Sequence, residues 1–472
     1  MTPKAPTARD PGRARAAAEN LFIHGFPPVL MDLVRRAHPV GFHQFQVISH
    51  DAANIAPGLA EDDPRVVICS AFLDVGYEPV VLRLPHTYGR FFSLTLLDSV
   101  GQSFESIGSR TGDDVGVDLA LVGPSWRGEL PQGLRARRAP GDLIWAVSRI
   151  HAHSQLDRRD AVKVAESLDV AVLRPERQRR GSAASQLEPP SSPCVRQLAQ
   201  LAPAAFVHRL ETVLKLAPSS YRTVAGPLVA SFLEEVDAPS DPTEWPQDLA
   251  DDIALGFADG LGAVRAAAAC AATAGDEAPG WRVLSSGLHD RPSSPLMAAA
   301  RAFASLGAVV REDVLSLTCG RDETGLPLSG PHGYYIRFPR DGLPPVNAFW
   351  RLTVHPESGE APVEVGSYSA LTPNPDGSCD IHIQHWPPPI EQLVNWLSTP
   401  DGPITLMMRL YSPRPAALIG PWRMPPVCRM DSASRVSDAP PPQPSPPPIR
   451  RLRPYSVGWK KTSMKSTGRR QP

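Results

Sequence analysis

Two short stretches place ionisable side chains on otherwise apolar strand faces. From Arg90 to Asp98 alternate positions share a face, so the side bearing Phe92, Leu94 and Leu96 also carries Arg90 and Asp98 at its two ends. Eight residue steps put those two roughly 26 Å apart, too far to pair with each other. In Leu143 to Arg149, Arg149 falls on the face of Trp145 and Val147. A charge aimed at an apolar layer is either paired within the protein or held for a ligand, because burying it alone costs several kcal/mol. Arg90, Asp98, Arg110 and Arg149 are therefore the candidate ligand-binding set, in a cleft of the N-terminal part of the chain. There Arg149 or Arg110 would hold an anionic group and Asp98 would act as acid or base. The competing reading is an ion pair or turn brace, for example Arg149 with Asp98 or Asp74. It is the preferred one, because structural pairs produce the same pattern.

Other chemistries find less support. His382 and His385 sit three apart on an expected strand and so point to opposite faces, while His151 and His153 share a face but have no identifiable third ligand. No metal and no cofactor is expected. There is no Gly-x-Ser-x-Gly elbow, no Ser-x-x-Lys, no Walker sequence and no dinucleotide fingerprint. Asn374-Pro-Asp-Gly377 reads as a turn, since the acidic run of a calcium loop does not follow it. Cys69 lies within a strand and reads as a small buried hydrophobe. The six cysteines are too widely spaced for a zinc knuckle or a disulfide framework, and six free thiols are expected.

These residues need strands to position them, and the composition supplies strands. Proline makes up 54 of 472 residues, about 11% against a usual level of about 5%, which argues against a mostly helical chain. Arg65 to Phe72, Val80 to Pro85, Arg90 to Asp98, Val117 to Gly123 and Leu143 to Arg149 are rich in branched and aromatic residues, the mark of short strands in an antiparallel sandwich or barrel. A helix is expected over 13–37, ended or kinked at Pro27-Pro28. Residues 174–193 read as a linker or exposed loop. Val195 to Glu235, Asp248 to Ala274 and Pro295 to Cys319 have helical spacing, and Tyr334 to Phe338, Ala348 to His355, Cys379 to His385 and Ile404 to Tyr411 form a second strand set. On these last strands Arg351, Thr353, His355, Arg409 and Tyr411 face away from the core, toward solvent or an oligomer interface.

The fold expected is mainly β with a helical segment: two antiparallel β-sandwich domains joined by a helical layer. The boundaries are an N-terminal domain at 13–173, the linker at 174–193, a helical segment at 194–319, a C-terminal domain at 320–430 and a disordered basic tail at 439–472. That tail holds nine prolines, eight basic side chains and no acid, leaving 40 bases against 49 acids in residues 1–438. The near-neutral net charge of −1 is thus an acidic body plus a basic tail. The body is not expected to bind nucleic acid or membrane, whereas the tail could meet an acidic surface or an aromatic groove. No apolar run approaches the roughly 20 residues of a bilayer span, and the N-terminus lacks the apolar stretch of a signal peptide, so a cytoplasmic location is expected.

Several phrases together resemble the bacterial proteins that pair the domains of unknown function numbered 1254 and 1214. The N-terminal half offers Phe26-Pro-Pro-Val-Leu-Met-Asp-Leu, Leu73-Asp-Val-Gly-Tyr-Glu-Pro-Val-Val-Leu, Gly89-Arg-Phe-Phe-Ser-Leu, Ser106-Ile-Gly-Ser-Arg-Thr and Gly123-Pro-Ser-Trp-Arg-Gly-Glu-Leu-Pro. The C-terminal half offers Pro344-Pro-Val-Asn-Ala-Phe-Trp-Arg-Leu-Thr, Asn374-Pro-Asp-Gly-Ser, Asn395-Trp-Leu and Arg409-Leu-Tyr-Ser-Pro. The resemblance covers about residues 16–430 and implies two sandwiches with helices between, with no established activity. It also implies an altered site. Where such proteins carry Asn-x-Asp-Thr-x-Tyr, this chain reads Asp63-Pro64-Arg65-Val66-Val67-Ile68. Export signals are common among the proteins resembled.

The function expected is a ligand-binding or homo-oligomeric assembly module, with a small anionic molecule as the ligand. The alternative is an enzyme acting on a small anionic or sugar-like substrate in the N-terminal cleft.

Overall fold

The computed structural model describes residues 11–48, 54–59, 63–112, 116–174, 193–239, 241–273, 276–278, 280–358 and 363–430. The expected linker, apart from Arg174 and Pro193, and the expected tail lie outside them. Each strand stretch named from the sequence is a strand, with ends shifted by at most two residues.

In the N-terminal part, five antiparallel strands run in the order Gln46–Ile48, Val66–Asp74, Leu143–His151, Phe92–Asp98 and Ser103–Gly108. A second sheet has the order Arg135–Arg138, Asp118–Val122, Val80–Arg83 and Asp169–Val172, its first pair parallel. Val67, Cys69, Leu94 and Ile144 from the first sheet share a core with Val80, Leu82 and Leu121 from the second. The other face of the five-stranded sheet, with Phe72, Trp145 and Val147, packs on helices. Leu143–His151 is buried at every position because it is covered on both sides, which is why its sequence is apolar at both parities.

The helical layer is built on Pro11–Ala37, whose Leu21, Phe22, Phe26, Leu30 and Val34 are buried. Helix Gln247–Thr273 crosses it closely: a Cβ at Gly256 would lie 2.3 Å from the Arg15 carbonyl oxygen, so only glycine permits the approach. Among the described residues this is the one helix long and apolar enough to cross a bilayer by length and composition, although Asp248, Asp251, Asp252, Asp259 and Arg265 interrupt its apolar run. Its alanines raise the hydropathy, and its Leu249, Ile253, Phe257 and Val264 are buried in the helical core, as in a packed amphipathic helix.

Two expectations are corrected. The helix over 13–37 is neither ended nor broken at Pro27-Pro28; it runs through both to Ala37. The helical segment does not extend to Cys319. The last helix of that segment is Pro295–Ser305, and Val314–Cys319 is a strand. That strand lies inside a six-stranded antiparallel sheet of order Asp276–Ala278, Trp281–Val283, Val314–Cys319, Ile404–Tyr411, Trp350–Pro356 and Val363–Gly366. A four-stranded sheet of order Trp396–Ser398, Cys379–Gln384, Tyr334–Phe338 and Cys428–Arg429 encloses the C-terminal core with it, through Leu317, Leu352, Met408, Ile336 and Ile381.

The outer face of the six-stranded sheet, expected at solvent or at an oligomer interface, is covered by the N-terminal part of the same chain. Arg351, Thr353 and Tyr411 are buried. Tyr411 stacks on Phe349 with centroids 4.2 Å apart and meets Phe91 edge-on at 5.2 Å. Arg351 bonds Asp63 at 3.0 Å and Glu364 at 2.9 Å, and Arg65 also reaches Glu364 at 2.9 Å. Residues through Arg429 form one compact unit.

Candidate functional site

A cavity of about 450 Å³ opens where the N-terminal sheet, the helical layer and the loop before Pro295–Ser305 meet. Its ionisable side chains are His24, Asp98, Tyr221 and, from one loop and the helix that follows it, Arg291 and Arg301. Leu97, Val224, Leu306 and Val310 give it apolar walls.

Asp98 ends strand Phe92–Asp98 and folds the hairpin that follows. Its Oδ1 accepts the backbone N–H groups of Val100 and Gln102, both at 3.0 Å, and Gly101 takes φ +77° in the turn. Oδ2 has no hydrogen bond among the described residues, and the side chain borders the cavity. Burial pushes the carboxyl up to about 6, against the two N–H groups and the charges of Arg291 and Arg301. Arg301 is held by the Gln102 side chain and, at 2.8 Å, by the Asp290 carbonyl. Arg291, exposed at the rim, forms no hydrogen bond or ion pair among the described residues.

His24 and Tyr221 explain how the first helix survives two prolines. Pro28 has no N–H to give the His24 carbonyl four residues back. The Tyr221 hydroxyl donates to that carbonyl instead. Burial and the neighbouring Asp98 charge raise the Tyr221 pKa. Burial lowers that of the half-buried His24, so its imidazole is neutral near pH 7. The ring makes no hydrogen bond among the described residues.

The four residues named from the sequence do not converge. Asp98 lines this cavity. Arg90 makes a two-point ion pair with Asp157, with Nε to Oδ2 at 3.0 Å, at the start of helix Arg158–Glu166. Arg110 bonds Asp313 at 2.8 Å, and Ser106 donates to the same carboxylate, tying the N-terminal sheet to the residue before strand Val314–Cys319. Arg149 bonds two carbonyls, Gly58 at 2.6 Å and Gly307 at 2.9 Å, rather than Asp98 or Asp74. It lines a smaller cavity of about 200 Å³ with His151, Phe91 and Tyr411. His24, Tyr221, Arg291 and Arg301 were not singled out from the sequence. The one signal for any of them is the proline pair, which requires new donors for the carbonyls it strands.

The altered phrase at 63–68 stands apart from the larger cavity. Asp63 is fully buried and accepts bonds from Arg65, His151 and Arg351, each at about 3.0 Å. Those donors outweigh burial and hold its carboxyl well below the usual range. Burial also lowers His151 despite the carboxylate beside it. Val66 of the phrase lines the smaller cavity. Cys69 is buried, its thiol pushed up to about 12 by burial. Among the described residues no group of three or more His, Cys, Asp or Glu could hold a metal ion.

The chain is similar over 89% of its length to the whole crystallised chain of the VPA0106 protein from Vibrio parahaemolyticus, at 18% identity and a TM-score of 0.60, a likeness of fold. A putative uncharacterized protein from Burkholderia cenocepacia matches over 90% of this chain and 96% of its own, at 14% identity and a TM-score of 0.42. No curated protein matches the chain. Residues 43–171 match the family described as Protein of unknown function (DUF1254), and residues 313–415 match Protein of unknown function (DUF1214). Asp98 falls in the first match, whereas Tyr221, Arg291 and Arg301 fall between the two. The chain is thus a protein that pairs these two domains of unknown function, 1254 toward its N-terminus and 1214 toward its C-terminus.

Proposed function

We propose that the chain is a binding protein for a small anionic molecule, held in the 450 Å³ cavity beside Asp98. The volume falls within the roughly 300–1,000 Å³ of small-molecule sites. The observation that carries the reading is convergence with spare valence. His24, Asp98 and the pair Arg291 and Arg301 come from three segments onto one cavity, and Arg291, the His24 ring and Asp98 Oδ2 have no hydrogen-bond partner among the described residues. Arg291 would take the anionic group, with Arg301 behind it, while Asp98 and His24 would face a hydroxyl or similar polar group. Native mass spectrometry of the protein purified from its own host, beside an Arg291→Ala variant, tests this. A retained mass of a few hundred daltons on the wild type alone supports it. The same retained mass on both proteins contradicts it.

One observation favours a second reading, catalysis on the same molecule. A carboxyl poised near 6 inside a cavity is suited to proton transfer near neutral pH. Asp98→Asn would then abolish turnover of the retained molecule while leaving its binding in place.

A further inference from the structure

The smaller cavity is not a separate feature of the surface. It shares the lining residues Leu284, Ser305, Ala308 and Val309 with the larger one, so these residues form a wall common to both. The wall's side chains are short at Ser305 and Ala308. Its backbone is fixed: the Gly58 N–H donates to the Leu306 carbonyl at 2.9 Å, and Arg149 grips the Gly58 and Gly307 carbonyls.

The two chambers differ in chemistry. The larger carries Arg291 without an ion-pair partner among the described residues, and Asp98 with one unused oxygen. The smaller is lined by Val66, Phe91, Val309, Val314, Met407 and Tyr411. Three of its charged or ionisable side chains are engaged within the protein. Arg149 is on two carbonyls, His151 on Asp63, and Arg409 is engaged as well. A ligand group entering there would meet mainly apolar contacts.

We infer that the ligand is an anionic amphiphile, its head group on Arg291 and Arg301 and its apolar tail passing the Ser305–Val309 wall into the chamber under Phe91 and Tyr411. This rests on the cavity reading above and adds the class of molecule. Burying one methylene is worth about 0.8 kcal/mol, so each CH₂ that enters the second chamber should tighten binding by about fourfold.

The test is calorimetric titration of the full chain with linear alkanesulfonates from two to ten carbons, kept below their micelle concentrations. The variants are Arg291→Ala, Ala308→Phe on the shared wall, and Met407→Trp on the far side of the second chamber. Expected for the wild type is a rise of about fourfold per carbon over the longer members. That rise should be flattened by Ala308→Phe or Met407→Trp, with short-chain affinity kept in Met407→Trp, which lies outside the larger cavity, and Arg291→Ala weakens every member. The two filling variants come from different elements, so misfolding of one leaves the other as the test. Short sulfonates that bind through Arg291 with no dependence on length would overturn the amphiphile and leave the anion site standing. Long sulfonates that bind equally well to all four proteins would overturn it too, since they would then sit elsewhere. Absence of binding at any length would bring down the anion site and this inference together.

Discussion

The guanidinium of Arg149, which lines the smaller cavity, and the carbonyl oxygen of Gly307, which lines the larger, lie 2.9 Å apart. Gly307 has φ +86°, and a Cβ there would come within 2.6 Å of the Trp145 ring, so the carbonyl is presented to Arg149 from a backbone that glycine alone adopts comfortably. The same guanidinium nitrogen reaches the Gly58 carbonyl at 2.6 Å.

Arg149→Ala removes a charged donor from two carbonyls beneath a buried strand. Hydrogen bonds to charged groups contribute about 1.5–3 kcal/mol each, so a loss of roughly 3 kcal/mol or more is expected in urea unfolding. Arg149→Lys should recover part of it. A variant as stable as the wild type would show that the wall is held by something else.

Tyr221→Phe should destabilise the protein by about 1–2 kcal/mol, because the His24 carbonyl then loses the donor that replaces the missing Pro28 N–H. A double-mutant cycle makes the claim specific. In a Pro28→Ala background the helix can supply its own N–H, and the cost of Tyr221→Phe should shrink. Additive effects would separate the hydroxyl from the proline.

Asp98 should make the protein less stable as pH rises. Its folded pKa of about 6 lies above the ordinary 3.8, so its contribution is fully present below about pH 4 and lost as pH climbs through 6. Asparagine can still accept the two turn N–H groups but does not ionise. Asp98→Asn is therefore expected to be more stable than wild type by roughly 2–3 kcal/mol at pH 8, with the difference vanishing near pH 4. Parallel stability curves across that range would contradict the assignment. A stability gain on losing a buried carboxylate is what a residue kept for function would give.

Asp63 runs the other way. Its carboxyl is held below the ordinary range, so its contribution is present above about pH 4 and lost as pH falls below it. Arg351→Met leaves a buried carboxylate short of one partner and should cost about 3 kcal/mol at pH 7. That deficit should shrink on acidification. A deficit constant from pH 7 to pH 2 would assign it to lost packing of Arg351 instead.

The strands and their inward faces were legible because burial on one side leaves an alternating record. Ile404, Leu406, Met408 and Leu410 are all buried, as parity requires. What covers the opposite face leaves no such record. Parity puts Arg351 and Tyr411 outward, and only the fold shows that outward means against Asp63, Phe91 and Phe349 of the same chain. Arg149 was placed on the right face, but its partners are backbone carbonyls, and a carbonyl has no sequence signature. The larger cavity was illegible for a related reason. His24, Asp98, Tyr221 and the pair Arg291 and Arg301 come from four stretches, no two of which form a motif.

The most direct test of the anion site is calorimetric titration of wild-type and Arg291→Ala protein with octanesulfonate at pH 7. Binding at one site per chain, weakened at least tenfold by the substitution, is the result expected. Equal affinity in the two proteins, or no binding to either, would contradict the site.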